Sequence, residues 1–81
     1  PQTLVNVQLP NQPGYKEAVM ASGELAEAIR REEELLGGDG RVLVRPSGTE
    51  PLIRVMVEAK TTEQAESCAA RLVELVKSLK I

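Results

Sequence analysis

The chain has 81 residues, a length that suits one domain and no more. Ten Lys and Arg against twelve Asp and Glu leave a net charge of −2, and a hydrophobic share of 42% is too high for a disordered segment. The lack of histidine, a single cysteine and one aromatic residue, Tyr15, exclude His-based catalysis, His and CxxC metal sites, an internal disulfide and an aromatic platform for stacking bases; the acidic balance also speaks against a nucleic-acid duplex as partner.

In chain order, Thr3–Leu9 alternates Val5, Val7 and Leu9 with Asn6 and Gln8, which predicts a strand with one buried side. Pro10-Asn11-Gln12-Pro13-Gly14 is a cluster of breakers and reads as a loop, followed by a helical turn in the Tyr15–Ala21 stretch. Ser22 caps a predicted helix that runs to about Leu36, with Leu25, Ala28, Ile29, Leu35 and Leu36 on one stripe and Glu32 as its polar intruder. Glu32–Glu34 is expected on a solvated helix face. Gly37-Gly38-Asp39-Gly40 stops the helix, and Arg41 is expected to solvate a strand end beside Asp39.

Arg41–Arg45 and Leu52–Glu58 read as strands joined by at most six loop residues, hence an antiparallel hairpin. Thr61 with Gln64 has the spacing of a capping box. Beyond it Ala65, Cys68, Ala69, Leu72, Val73, Val76 and Leu79 form the cleanest amphipathic stripe in the chain, with Cys68 a buried small hydrophobe and Arg71 and Lys77 expected to pair with Glu74 on the surface. The order is β-α-β-β-α, an α+β fold in which two helices cover one face of an antiparallel sheet. Apolar runs are only a few residues long, so no membrane span is expected. No signal peptide is visible, and the start at Pro1-Gln2-Thr3 without Met reads as a piece of a longer protein.

Charge singles out one region. Residues 1–40 hold three bases and seven acids, whereas 41–60 hold four bases (Arg41, Arg45, Arg54, Lys60) and two acids. This basic stretch surrounds Arg45-Pro46-Ser47-Gly48-Thr49-Glu50-Pro51. Ser47 and Thr49 offer hydroxyls, Gly48 can take backbone angles closed to other residues and so gather successive N–H groups into an anion nest, and Arg45 supplies a planar fork for an oxyanion. With Arg45 opposite Leu52, Arg54 falls opposite Leu43 and the two arginines project to one side, diagonally related. The two prolines fix the loop's ends, leaving Ser47, Gly48 and Thr49 to be ordered by a ligand; a phosphate monoester is the anion suggested. The same residues also suit an ordinary hairpin turn. The loop is neither a Walker loop nor a Gly-x-Ser-x-Gly elbow.

The segment Arg45-Pro46-Ser47-Gly48-Thr49-Glu50-Pro51-Leu52-Ile53-Arg54-Val55-Met56-Val57-Glu58 resembles the phosphate-binding loop of the α-D-phosphohexomutase family, and Pro1-Gln2-Thr3-Leu4-Val5-Asn6-Val7 resembles the segment that opens the last domain of such enzymes. The members that interconvert glucosamine 6-phosphate and glucosamine 1-phosphate match best, with phosphomannomutases and phosphoglucomutases as alternatives. The resemblance implies a cytoplasmic four-domain isomerase on the route to amino-sugar cell-wall precursors, of which residues 1–81 are the fourth, TATA-box-binding-protein-like domain. It implies a phosphoserine donor in the first domain, a bisphosphate intermediate, and magnesium held in the second domain and not by this segment. Its partners would be a phosphosugar and the other three domains, with no nucleic acid or membrane. The phosphate-gripping role falls on Arg45, Ser47, the backbone of Gly48, Thr49 and Arg54, with Glu50 either shaping the loop, orienting an arginine or meeting a sugar hydroxyl.

Two departures limit the carry-over. A Ser-His-Asn-Pro segment is absent, and Asp39 is a lone acid where the family's metal loop has three, so these 81 residues are expected to bind and not to catalyse. A self-contained anion-binding interaction module is the reading from a different functional class.

Overall fold

The computed structural model describes residues 1–79. Strand β1 (Gln2–Gln8) leads to a short helix α1 (Tyr15–Met20) and a longer one, α2 (Gly23–Leu36); a 3-10 turn over Gly37–Asp39 precedes β2 (Arg41–Pro46), β3 (Leu52–Glu58) and the closing helix α3 (Thr62–Ser78). The expected α+β class holds, with the helical turn at 15–21 realised as a separate helix.

The caps explain where the long helices begin. Ser22, in extended geometry, accepts the Leu25 N–H on its hydroxyl at 3.3 Å, and Thr61 does the same for Gln64 at 3.1 Å, so each satisfies one of the orphan donors of a first turn. At the far end of α2, Gly37 sits at φ 69°, a left-handed position that favours glycine. Gly40 is required for a different reason: an added Cβ would lie 2.6 Å from the Leu36 Cβ and 2.7 Å from the Glu58 carbonyl oxygen.

The three strands run antiparallel in the order β1-β3-β2, so β3 is central. Its helix-facing residues Ile53, Val55 and Val57 are fully buried, as is Val7 of β1; from α3, Ala65, Cys68, Ala69, Leu72 and Val76 pack onto them, and Val19 and Leu25 complete the core from α1 and α2. The opposite face carries no helix. Leu4, Met56 and Leu43 form one row across it, and Asn6, Arg54 and Arg45 the next.

Three local expectations are corrected. Arg45 lies opposite Arg54, and Leu43 opposite Met56, so the hairpin register is shifted by two residues; the face is kept because side chains alternate with period two. Glu32 is buried, not solvated, and Arg71 pairs with it across the α2–α3 seam instead of with Glu74, through two hydrogen bonds of 2.7 Å. Arg41 pairs with Glu58 at 3.0 Å, while Asp39 takes Lys60 at 3.1 Å.

Candidate phosphate-binding loop

The turn between β2 and β3 is fastened at several points. The Ser47 N–H donates to the Leu52 carbonyl at 3.0 Å, and the Leu52 N–H to the Glu50 carbonyl at 2.8 Å. Ser47 is itself nearly buried, and its hydroxyl oxygen accepts the Glu50 N–H at 3.3 Å, which leaves the hydroxyl proton free for another acceptor. The Leu9 N–H donates to the Pro51 carbonyl at 2.8 Å, tying the end of β1 to the exit of the loop.

Against this background two donors stand out. Among the described residues, no hydrogen bond takes up the N–H of Gly48 or Thr49, and both residues are exposed. Gly48 does not use the positive φ closed to other residues: among the described residues the positive-φ glycines are Gly14 and Gly37. A Cβ at Gly48 would meet nothing within 4 Å. The contribution of Gly48 is open space beside a free N–H, through which a ligand can approach the backbone.

The arginines are equally distinctive. Of six in the chain, Arg30, Arg31, Arg41 and Arg71 each contact a carboxylate; Arg45 and Arg54 have no ion-pair partner among the described residues. They are also directly opposite each other, an arrangement of like charges that destabilises a sheet. Both are exposed, and each lies two residues from the last fastened position of the loop, Arg45 before Ser47 and Arg54 after Leu52. An oxyanion between them would relieve the repulsion and accept from both forks. Thr49 is exposed, with its hydroxyl available. The Glu50 carboxylate makes no ion pair among the described residues, so the arginine-orienting contact is absent and its backbone supplies the loop-shaping one.

One residue escaped the sequence reading. Lys16, near the start of α1, donates from Nζ to the Ser47 carbonyl at 2.5 Å and to the Glu50 carbonyl at 3.2 Å. The available signal was a lone lysine directly after the Pro13-Gly14 break, the only base before Arg30 in an acidic stretch. Lys16 also borders two surface depressions, one shared with the 10–14 loop, Thr49 and Glu50, the other with Met20, Pro46 and Gly48. Among the described residues no group of three or more His, Cys, Asp or Glu side chains could hold a metal ion, and no helix is long and apolar enough to cross a membrane.

The fold and its arginine-flanked hairpin loop were compared with known proteins. The family model described as phosphoglucomutase/phosphomannomutase, C-terminal domain, matches residues 4–75, and the chain belongs to that family. It is 57% identical over 76 residues to a phosphoglucosamine mutase of Bifidobacterium animalis subsp. lactis, covering 94% of this chain and 16% of the relative, and 58% identical over 78 residues to one of Streptomyces coelicolor, covering 96% and 16%. The chain thus spans about a sixth of the length of the curated relatives it matches. Among solved structures it is similar to an N-acetylglucosamine-phosphate mutase of the alpha-D-phosphohexomutase superfamily in its substrate complex, at TM-score 0.58 and 26% identity over 94% of this chain and 15% of that one. The fold also matches the Aspergillus fumigatus N-acetylphosphoglucosamine mutase in complex with GlcNAc-6P and magnesium, at TM-score 0.56 and 24% identity over 94% of this chain and 16% of that one.

Proposed function

We propose that the chain is the substrate-phosphate-binding domain, the fourth, of a phosphoglucosamine mutase, an isomerase that interconverts glucosamine 6-phosphate and glucosamine 1-phosphate. The observation that carries this reading is the pair Arg45 and Arg54, the two arginines without a carboxylate partner among the described residues, set opposite each other beside the Gly48 and Thr49 N–H groups, which have no acceptor there. The amino-sugar member of the family is favoured over phosphomannomutase and phosphoglucomutase because the relatives of 49–58% identity bear that name.

In this function the domain holds the phosphate that is not being transferred. Arg45 and Arg54 supply charge and planar donors, Gly48 and Thr49 supply backbone N–H groups, and the Ser47 and Thr49 hydroxyls add donors; Glu50 shapes the turn through its backbone. Holding one phosphate fixes the sugar's distance from the reacting end, so binding energy from this loop orients the other phosphate for transfer. On this reading the phosphoryl donor and the magnesium site belong to other domains of a longer cytoplasmic protein.

The direct test is a titration of the 81-residue chain with inorganic phosphate, followed by backbone amide NMR at fixed pH and ionic strength. Saturable shifts are expected at Ser47, Gly48 and Thr49 with a Kd on the order of millimolar, about −4 kcal/mol, weakening as salt is added. Amides of α3 should not move, and no mutase activity should appear. Shifts spread over the helices, or none at Gly48, would overturn the assignment.

A further inference from the structure

We infer that Lys16 is a positioning residue that aims the Gly48 N–H at the bound anion; this rests on the phosphate-loop reading above. The geometry follows from the peptide unit. The Ser47 carbonyl and the Gly48 N–H belong to one planar group, and with no cis bond among the described residues they point in opposite directions. Lys16 Nζ holds that carbonyl toward α1, so the Gly48 N–H is held facing away from α1. Helix α1 contributes Val19 to the core on the helix side of the sheet, while Arg45 and Arg54 stand on the side without helices. The peptide is thereby turned so that its donor faces away from the helices, as the arginines do.

The second contact has a different consequence. The Glu50 carbonyl also accepts from Lys16, but the next residue is Pro51, which has no N–H to be aimed. That bond clamps the far end of the turn. One ammonium therefore spans the loop from Ser47 to Glu50, fixing a stretch whose Gly48 is otherwise free of side-chain packing. A cation on the carbonyl side also polarises the peptide, which makes its N–H a better donor to an anion. The ammonium acts through the peptide: two of its three donors are engaged by loop carbonyls, and the ligand meets Gly48.

The test compares the wild-type 81-residue chain with Lys16→Met, which keeps the apolar stem, and Lys16→Arg, which keeps a charged donor. In the phosphate-free chains, the Gly48 and Thr49 amide resonances should move in Lys16→Met and stay near their wild-type positions in Lys16→Arg. Affinity for inorganic phosphate should fall at least about five-fold in the first and return to within about two-fold in the second, with α3 amides and melting temperature little changed. Should Lys16→Met not fold, Lys16→Gln carries the same comparison with a neutral donor. Wild-type binding combined with unmoved Gly48 resonances and unchanged affinity in Lys16→Met would overturn the positioning role while leaving the phosphate loop intact. An affinity loss that vanishes at high salt with Gly48 unmoved would also overturn it, since the lysine would then act only as distant charge. No binding by the wild type would sink the phosphate-loop reading itself, and the positioning role with it.

Discussion

The α2–α3 seam and the β2–β3 loop treat charge in opposite ways. In the seam, buried Glu32 receives two hydrogen bonds from Arg71. Arg71 holds the Glu32 carboxyl below the usual carboxylate range, against the opposing effect of burial. Burial, reinforced by the neighbouring carboxylate, pushes the Cys68 thiol up to about 12. At the loop, among the described residues, two arginines face each other with no carboxylate partner, and two N–H groups lack acceptors. Charge answered within the chain serves the fold. Charge left unanswered at a cost to the fold is what a ligand can use.

The largest expected effect breaks the loop's side of this contrast. Arg45→Ala in the full-length protein should remove a charge-assisted contact of about 1.5–3 kcal/mol, lowering kcat/KM by about 10- to 150-fold. Stability should hold or rise by a few tenths of a kcal/mol, because the mutation removes a like-charge pair. A variant that unfolds, or one with unchanged kcat/KM, would take Arg45 out of the site.

Arg71→Ala should do the reverse, costing about 1–2 kcal/mol of folding stability, less than for a fully buried partner because Arg71 is half exposed, with phosphate affinity unchanged. The pH dependence follows from the lowered Glu32 value. An unfolded Glu titrates near about 4.3, so the carboxylate's stabilisation is complete above that pH and is lost as pH falls through its lower folded value. Denaturant melts of wild type and Arg71→Ala should therefore differ fully at pH 7 and converge in acid. A gap that persists below the folded value would point to packing by the arginine stem.

The smallest effect concerns Cys68. With its thiol raised to about 12 and fully buried, it should resist iodoacetamide at pH 8 in the native chain and react readily in urea. Fast native labelling would show that the seam opens more than its bonding implies.

Much of the scaffold was legible because its signals are local. The Ser22 and Thr61 caps, the 3.6-residue stripe of α3 and the alternation in β1 each lie within a few residues. The proline-bracketed loop was legible for the same reason. Its register was not, because a turn of this length admits pairings two residues apart that keep the same face. The Glu32–Arg71 pair joins residues 39 positions apart, and the Lys16–Ser47 contact 31, distances at which charge pattern alone names no partner. Glu32, read as an intruder in an apolar stripe, was in fact the half of a pair whose other half could not be seen.

The order of strands bears on how the domain is born. Among the described residues β1 pairs with β3 alone, more than forty positions away, whereas β2 and β3 are neighbours through a short turn. During synthesis β1 emerges first and stays without a partner until the last strand has appeared, because long-range pairing must wait for loop closure. The β2–β3 hairpin can close on the microsecond scale, about 1–10 μs, as soon as Glu58 is free. The β2–β3 loop thus lies in the earliest piece of sheet available to a nascent chain, and the first strand made is the last to be enclosed.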